Sequence, residues 1–123
     1  MILGLGIDAV DISRMQRWLE NPGLLTRFFH PQEIEDTNGR GITAAYSLAA
    51  RFAAKEAYGK ALGTGLSGMT LKNILVTNNP TGKPELTLFG DALALFQQLK
   101  GLHIHISLTH ERSIAIASVI LEG

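Results

Sequence analysis

Apolar and polar positions change period along this chain, and the changes mark out its elements. Residues 2–10 alternate: Leu3, Leu5, Ile7 and Ala9 point one way, Gly4, Gly6 and Asp8 the other, which predicts a strand. Two glycines in a strand mark close approach by a ligand or another backbone, so Asp8 is expected on the side with the most free space. The period then lengthens. Asp11 suits a helix N-cap, Ile12, Met15 and Leu19 recur at helical spacing, and Arg14 and Arg17 fall on one flank. Asn21-Pro22-Gly23 breaks that helix, residues 24–29 make a short helical piece, and His30-Pro31 can start another that ends by Gly39 and Gly41.

The strongest helix is predicted over residues 43–62, alanine-rich, free of proline and closed by Gly63-Thr64-Gly65. Ala45, Leu48, Ala49, Phe52 and Ala53 form one apolar stripe. Glu56 projects into the middle of that stripe, with Lys60 one turn on, and a carboxylate on an apolar face is costly unless paired. Residues 70–77 read as a strand, Asn78 to Gly82 as a turn and residues 85–89 as a short strand. Residues 91–100 are helical and stop at Gly101. In residues 103–109, His103, His105, Ser107 and Thr109 share one face and Ile104, Ile106 and Leu108 the other. His110-Glu111-Arg112 then turns the chain into a last strand over residues 113–121. Helices gather in the first half and strands in the second, which predicts an α+β fold with a mainly antiparallel sheet packed against one long helix plus shorter helices.

Composition narrows the class. A chain of 123 residues, 46% apolar and 18% charged, fits a single domain (residues 1–123) with its own core. Eleven basic and eleven acidic side chains give no net charge, against general nucleic-acid binding. The absence of cysteine excludes disulfides, Cys-ligated zinc and thiol catalysis. No apolar run approaches the roughly 20 residues of a membrane span, and Met1-Ile2-Leu3-Gly4 shows no basic leader or cleavage pattern, so a cytoplasmic protein is expected.

Two carboxylates from different elements, Asp8 and Glu56, suit a hard oxygen-ligated cation such as Mg²⁺, which is commonly held by one or two carboxylates plus phosphates and water. The alternatives are a helix cap for Asp8 and an i,i+4 ion pair with Lys60 for Glu56. Arg51, Lys55 and Lys60 form a basic set on the long helix, and the Gly63-Thr64-Gly65 turn lets a ligand approach the backbone. His103, His105 and His110 raise a zinc hypothesis, but no H-E-x-x-H pattern accompanies them. Gly4-Leu5-Gly6-Ile7-Asp8-Ala9 formally fits a dinucleotide fingerprint, yet only three residues precede it and no βαβ unit follows. Arg14, Arg17 and Arg27 offer a basic patch to an acidic partner.

Together these pieces resemble the holo-[acyl-carrier-protein] synthase family of small phosphopantetheinyl transferases. The resemblance rests on Gly4-Leu5-Gly6-Ile7-Asp8, on Arg51-Phe52-Ala53-Ala54-Lys55-Glu56-Ala57, and on Lys60-Ala61-Leu62-Gly63-Thr64-Gly65. Gly82-Lys83-Pro84 and His105-Ile106-Ser107-Leu108-Thr109 complete it, in order and over nearly the whole chain. Residues 69–76 depart from it, with Lys72-Asn73 where many members carry an acidic residue, and Thr109 stands where serine is frequent. The resemblance implies the phosphopantetheinyl transferase fold and Mg²⁺-dependent transfer of 4′-phosphopantetheine from coenzyme A to a serine of apo acyl carrier protein, in support of fatty acid biosynthesis. It implies Asp8 and Glu56 as Mg²⁺ ligands and Lys60 as a phosphate partner able to assist proton transfer. Arg51 would hold the coenzyme's 3′-phosphate. His105, Gly63 and Gly65 would complete the coenzyme site, with Pro84 near the adenine. Arg14, Arg17 and Arg27 would dock the acidic carrier protein, and a homotrimer with sites between subunits is implied. A metal-dependent phosphohydrolase and a non-catalytic coenzyme A or protein binder are the competing readings of the same residues.

Overall fold

A computed structural model describes residues 1–123. Its elements run β1 (Ile2–Asp11), α1 (Ile12–Leu19), α2 (Pro22–Phe28), α3 (Pro31–Thr37), α4 (Ile42–Leu62), a 3-10 turn (Leu71–Asn73), β2 (Ile74–Asn78), β3 (Pro84–Leu88), α5 (Gly90–Gln98), β4 (His103–Glu111) and β5 (Ile114–Glu122). An antiparallel sheet of order β1-β5-β4 and a separate antiparallel hairpin β2-β3 flank α4. The α+β expectation holds, with the 21-residue α4 as its axle.

Burial explains why α4 is so rich in alanine. Fourteen of its 21 residues are buried, Arg51 and Lys55 among them, because β1 and β5 cover one side and α1, α3 and β2 reach the others. Large side chains all round would hold those neighbours off; Ala45, Ala49, Ala53 and Ala57 let them approach. The predicted single stripe was therefore too narrow a description, since the helix is wrapped rather than laid on a surface.

The glycine face of β1 needs a larger correction. Gly4 and Gly6 do not open space for a ligand: a Cβ on either would stand 1.9 Å from a carbonyl oxygen of α4, Ala61 and Ala57 respectively. The glycines bring strand backbone onto helix backbone, and Asp8, on the same face, is held at that contact rather than in free space. Leu5 and Ile7 look outward instead, 66% and 61% exposed, so β1 carries its large apolar side chains on the surface.

A buried ion pair ties the helical layer to the hairpin. Lys55 Nζ donates to Glu33 Oε1 (2.6 Å), the Leu71 carbonyl (2.9 Å) and the Ile74 carbonyl (2.6 Å), which uses all three ammonium protons. Glu33 accepts in turn from the backbone N–H groups of His30 (2.9 Å) and Val76 (3.2 Å). Both side chains are fully buried. Burial pushes the Lys55 pKa down, with Glu33 pulling against it. Tyr58 performs a similar task for α5, donating its hydroxyl to the Ala92 carbonyl at 2.8 Å.

Smaller departures have local causes. Residues 71–73 form a 3-10 turn in which the Leu71 carbonyl accepts from Lys55 and the Asn73 carbonyl from the Phe89 N–H, so β2 starts only at Ile74. Asp11 is the N-cap of α1 by position, but its side chain makes no cap bond. β4 continues to Glu111, and Arg112, with a φ of 55°, takes the tight turn with Ser113.

Candidate active site

Three of the residues singled out in the sequence meet where β1 crosses the C-terminal half of α4. Lys60 Nζ donates to Asp8 Oδ1 at 2.9 Å and to the Ile7 carbonyl at 3.1 Å. Glu56 lies one turn back on the same helix face, half-buried. Its pKa is raised, first by burial and then by the charge of Asp8; Arg14 and Lys60 oppose the shift. Two carboxylates close enough to perturb one another form a hard-oxygen donor set that fits Mg²⁺ when phosphates and water supply the remaining ligands. Gly63 caps α4 in the left-handed conformation (φ 86°), and the Gly65 N–H donates to the Gly59 carbonyl, so the glycine turn folds back beside Lys60.

Arg51 is elsewhere. Five residues before Glu56, it is rotated about 140° around the helix and lines a cavity of about 390 Å³ with Tyr46, Ser47, Asn78, Leu108 and His110. Its side chain is 4% exposed, and Asp36 Oδ2 stands 3.6 Å from Nη1, too far for a hydrogen bond. Nη1 is the one buried side-chain polar atom without a partner. An orphaned guanidinium nitrogen beside a cavity fits an anionic group, which arginine's planar fork binds well.

Pro84 and His105 line a second groove, about 470 Å³, between the hairpin and β4, with Asn79, Lys83 and Glu85. His105 Nε2 lies 2.9 Å from Glu122 Oε1. This groove and the Arg51 cavity follow the same seam: Val76 and Asn78 give way to Asn79 and Lys83 on one wall, and Leu108 and His110 to Ile104 and Ile106 on the other.

The sheet register separates the two sets of residues. Leu5 and His105 both pair with Ile120 and share the outer face, whereas Asp8 pairs with Ala117 on the inner face. Asp8 and His105 are thus three positions apart along the strands, about 10 Å, and two strands apart, about another 10 Å. One chain therefore does not gather Asp8, Glu56 and Lys60 with Arg51, Pro84 and His105 around one small ligand.

The arginines also divide. Arg14 lies against the Trp18 and Phe52 rings, its Cζ 5.0 and 4.9 Å from their centroids, and faces Glu56. Arg27 lies over Phe28, which stacks on Trp18 at 5.0 Å, and Arg17 is exposed. The histidines do not converge: His103 and His105 are 6.5 Å apart, while His110 packs on Tyr46. No three His, Cys, Asp or Glu side chains form a metal-binding group. Sequence reasoning missed Glu33, Asp36, Tyr46, Asn78 and Glu122. Only Glu33, three residues after a possible cap, carried any local signal.

Comparison with known proteins shows the family. A model of the 4′-phosphopantetheinyl transferase superfamily matches residues 4–117, and the chain belongs to that superfamily. Within it, the relatives are holo-[acyl-carrier-protein] synthases. The one from Treponema denticola is 56% identical over 123 residues, all of both chains. The crystal structure of the Neisseria meningitidis enzyme matches with a TM-score of 0.88 at 31% identity, covering 100% of each chain. The Bacillus anthracis enzyme, solved in complex with CoA (3′,5′-ADP), matches with a TM-score of 0.83 at 32% identity over 98% of this chain and 96% of that one. By family this chain is an enzyme, a phosphopantetheinyl transferase.

Proposed function

We propose that the chain transfers the 4′-phosphopantetheine of coenzyme A to a serine of apo acyl carrier protein, with a divalent cation, Mg²⁺, held by Asp8 and Glu56. The Asp8–Glu56–Lys60 cluster carries this reading: two carboxylates and an ammonium meet where β1 crosses α4, a set that suits phosphoryl transfer. The serine oxygen bonds to the β-phosphorus, the bridging oxygen leaves with the 5′-phosphate, and adenosine 3′,5′-bisphosphate is released. A bound divalent cation supplies neutralisation of the pyrophosphate oxygens. Lys60, as an ammonium, binds a phosphate oxygen, and the serine proton passes to solvent water. The Gly63 to Gly65 backbone leaves room for the pantetheine side of the coenzyme. Arg51 offers Nη1 to the 3′-phosphate, with Pro84 and His105 beside the adenosine.

The separation of these groups supports a site built between copies of the chain, the homotrimer of the resemblance. One copy supplies Asp8, Glu56 and Lys60, and its neighbour supplies Arg51, Pro84 and His105. The exposed Leu5 and Ile7 on the outer sheet face give a second copy apolar surface to cover. Arg17, with Arg14 and Arg27 on the Trp18–Phe28 stack, offers positive charge to an acidic carrier protein. Holo carrier protein made in this way serves fatty acid biosynthesis in the cytoplasm.

The test is the intact mass of an apo acyl carrier protein incubated with the chain, coenzyme A and Mg²⁺. One added phosphopantetheine, abolished by chelator, is the expected result. Metal-dependent breakdown of coenzyme A with unmodified carrier would make the chain a hydrolase, and binding of coenzyme A without turnover would make it a binding module.

A further inference from the structure

The two carboxylates of the cluster are already balanced by cations of their own chain. Lys60 donates to Asp8 Oδ1 and to the Ile7 carbonyl, and the positive charges of Arg14 and Lys60 both act on Glu56. Two negative and two positive groups leave the cluster with no net charge. A divalent ion arriving alone meets an ammonium seated on a carboxylate oxygen that it needs. The two cations are not equally fixed. Arg14, also exposed, packs on the Trp18 and Phe52 rings and makes no hydrogen bond to either carboxylate, whereas Lys60 is bonded to Asp8 and its side chain, 52% exposed, ends a flexible stem. Lys60 is the cation that has to leave for a metal to reach Asp8.

We propose that Lys60 is an internal counter-cation that keeps the metal from Asp8 until the coenzyme's pyrophosphate draws it away. The inference rests on the reading of Asp8 and Glu56 as metal ligands. Pyrophosphate oxygens accept hydrogen bonds and carry negative charge, so they replace Asp8 and the Ile7 carbonyl as partners of the ammonium. Their charge also balances the divalent ion that then enters. Metal and coenzyme consequently bind with positive coupling, and the coupling acts equally in both directions. Lys60 thus has a role before any bond is made or broken: it sets the order in which the site fills.

The experiment is a titration of the intact protein with Mn²⁺, read by the electron paramagnetic resonance signal of the free ion, with and without coenzyme A. The wild-type protein should bind Mn²⁺ weakly alone and about tenfold more tightly with coenzyme A. Lys60→Met keeps the stem and removes the charge; it should bind Mn²⁺ alone about tenfold more tightly than the wild type, with most of the coupling lost. Lys60→Arg keeps a cation and should retain weak binding of the metal alone. Equal or weaker Mn²⁺ binding by Lys60→Met without coenzyme overturns the proposal, as does Lys60→Arg binding as tightly as Lys60→Met. Both results leave the metal reading standing. No Mn²⁺ bound by the wild type even with coenzyme A overturns that reading and the proposal with it. Circular dichroism of each variant checks the fold, and Lys60→Gln repeats the neutral test with a polar side chain.

Discussion

Lys55→Met would remove the three hydrogen bonds that join α4 to α3 and to the start of β2 while keeping most of the side-chain volume. Two consequences add. The Glu33 carboxylate, fully buried, loses its cation and keeps only the His30 and Val76 amides. The Leu71 and Ile74 carbonyls lose the donor that satisfies them. Leaving one partner of a buried pair uncompensated costs about 3–5 kcal/mol, and each orphaned carbonyl about 1 kcal/mol or more where water cannot reach it. These costs overlap, because Glu33 can take up a proton and the backbone can relax. We expect a loss of about 4 kcal/mol, a large part of the roughly 5–15 kcal/mol that holds a domain of this size. Urea denaturation at fixed protein concentration measures it, and the concentration must be fixed because association between copies would add to the apparent stability. The double variant Lys55→Met/Glu33→Met sharpens the argument. Replacing both partners of a buried pair is often neutral, but here four backbone groups depend on the pair, so the double variant should stay about 2 kcal/mol below the wild type. A single-variant loss below about 1 kcal/mol, within the range of an ordinary exposed pair, would refute the reasoning. It would mean that Lys55 is not what fastens the hairpin.

Further expectations concern the packing and the site. Gly6→Ala sets a methyl 1.9 Å from the Ala57 carbonyl oxygen, backbone that cannot turn aside, so it should cost about 3 kcal/mol or more in the same denaturation assay. Glu56→Gln should abolish most Mg²⁺-dependent transfer, read by carrier-protein mass, while raising the melting temperature slightly at pH 7. The sign follows from linkage: the folded-state Glu56 pKa is raised, so the charged form is penalised at neutral pH and the penalty lifts as pH falls through the raised value. The Gln advantage should therefore shrink on acidification, and one that grows would contradict the assigned direction. Arg51→Ala should weaken coenzyme A more than its 3′-dephospho form in a binding titration, an equal loss for both counting against the 3′-phosphate assignment. Arg17→Glu should raise the KM for carrier protein at low salt without changing that for coenzyme A. Arg14→Glu is a poorer probe of docking, because Arg14 also acts on Glu56.

What could be read from the sequence depended on whether a residue's partner was nearby in the chain. The outer and inner faces of β4 followed from simple alternation, and the end of α4 from Gly63, because both are set by local backbone geometry. The face of β1 was misjudged for the opposite reason. Two glycines mark a close approach, but whether a ligand or a helix makes it depends on an element 50 residues away. Lys55 stood in the sequence as one member of a basic set on the long helix, and nothing local linked it to Glu33, 22 positions earlier. The meeting of Asp8 with Glu56 and Lys60 was expected through family resemblance, since no periodicity links residues on different elements.

The charged residues of α4 explain how one short segment serves both the frame and the chemistry. Arg51 and Lys55 are one turn apart and share one side of the helix; Glu56 and Lys60 are one turn apart on another, about 140° round. On the first side α3 presents its own pair, Asp36 to Arg51 and Glu33 to Lys55, three residues apart to match the turn. That ladder fixes the rotation of α4 about its axis, and the same rotation aims Glu56 and Lys60 at Asp8. Arg51 would belong to both tasks on the proposed reading: weakly engaged by Asp36 at 3.6 Å, it holds its place and leaves Nη1 without a partner. On the proposed reading of a site shared between copies of the chain, each half has to be rigid before the copies meet. The buried ladder supplies that rigidity on α4, while the exposed Lys60 is the side chain proposed to change partners.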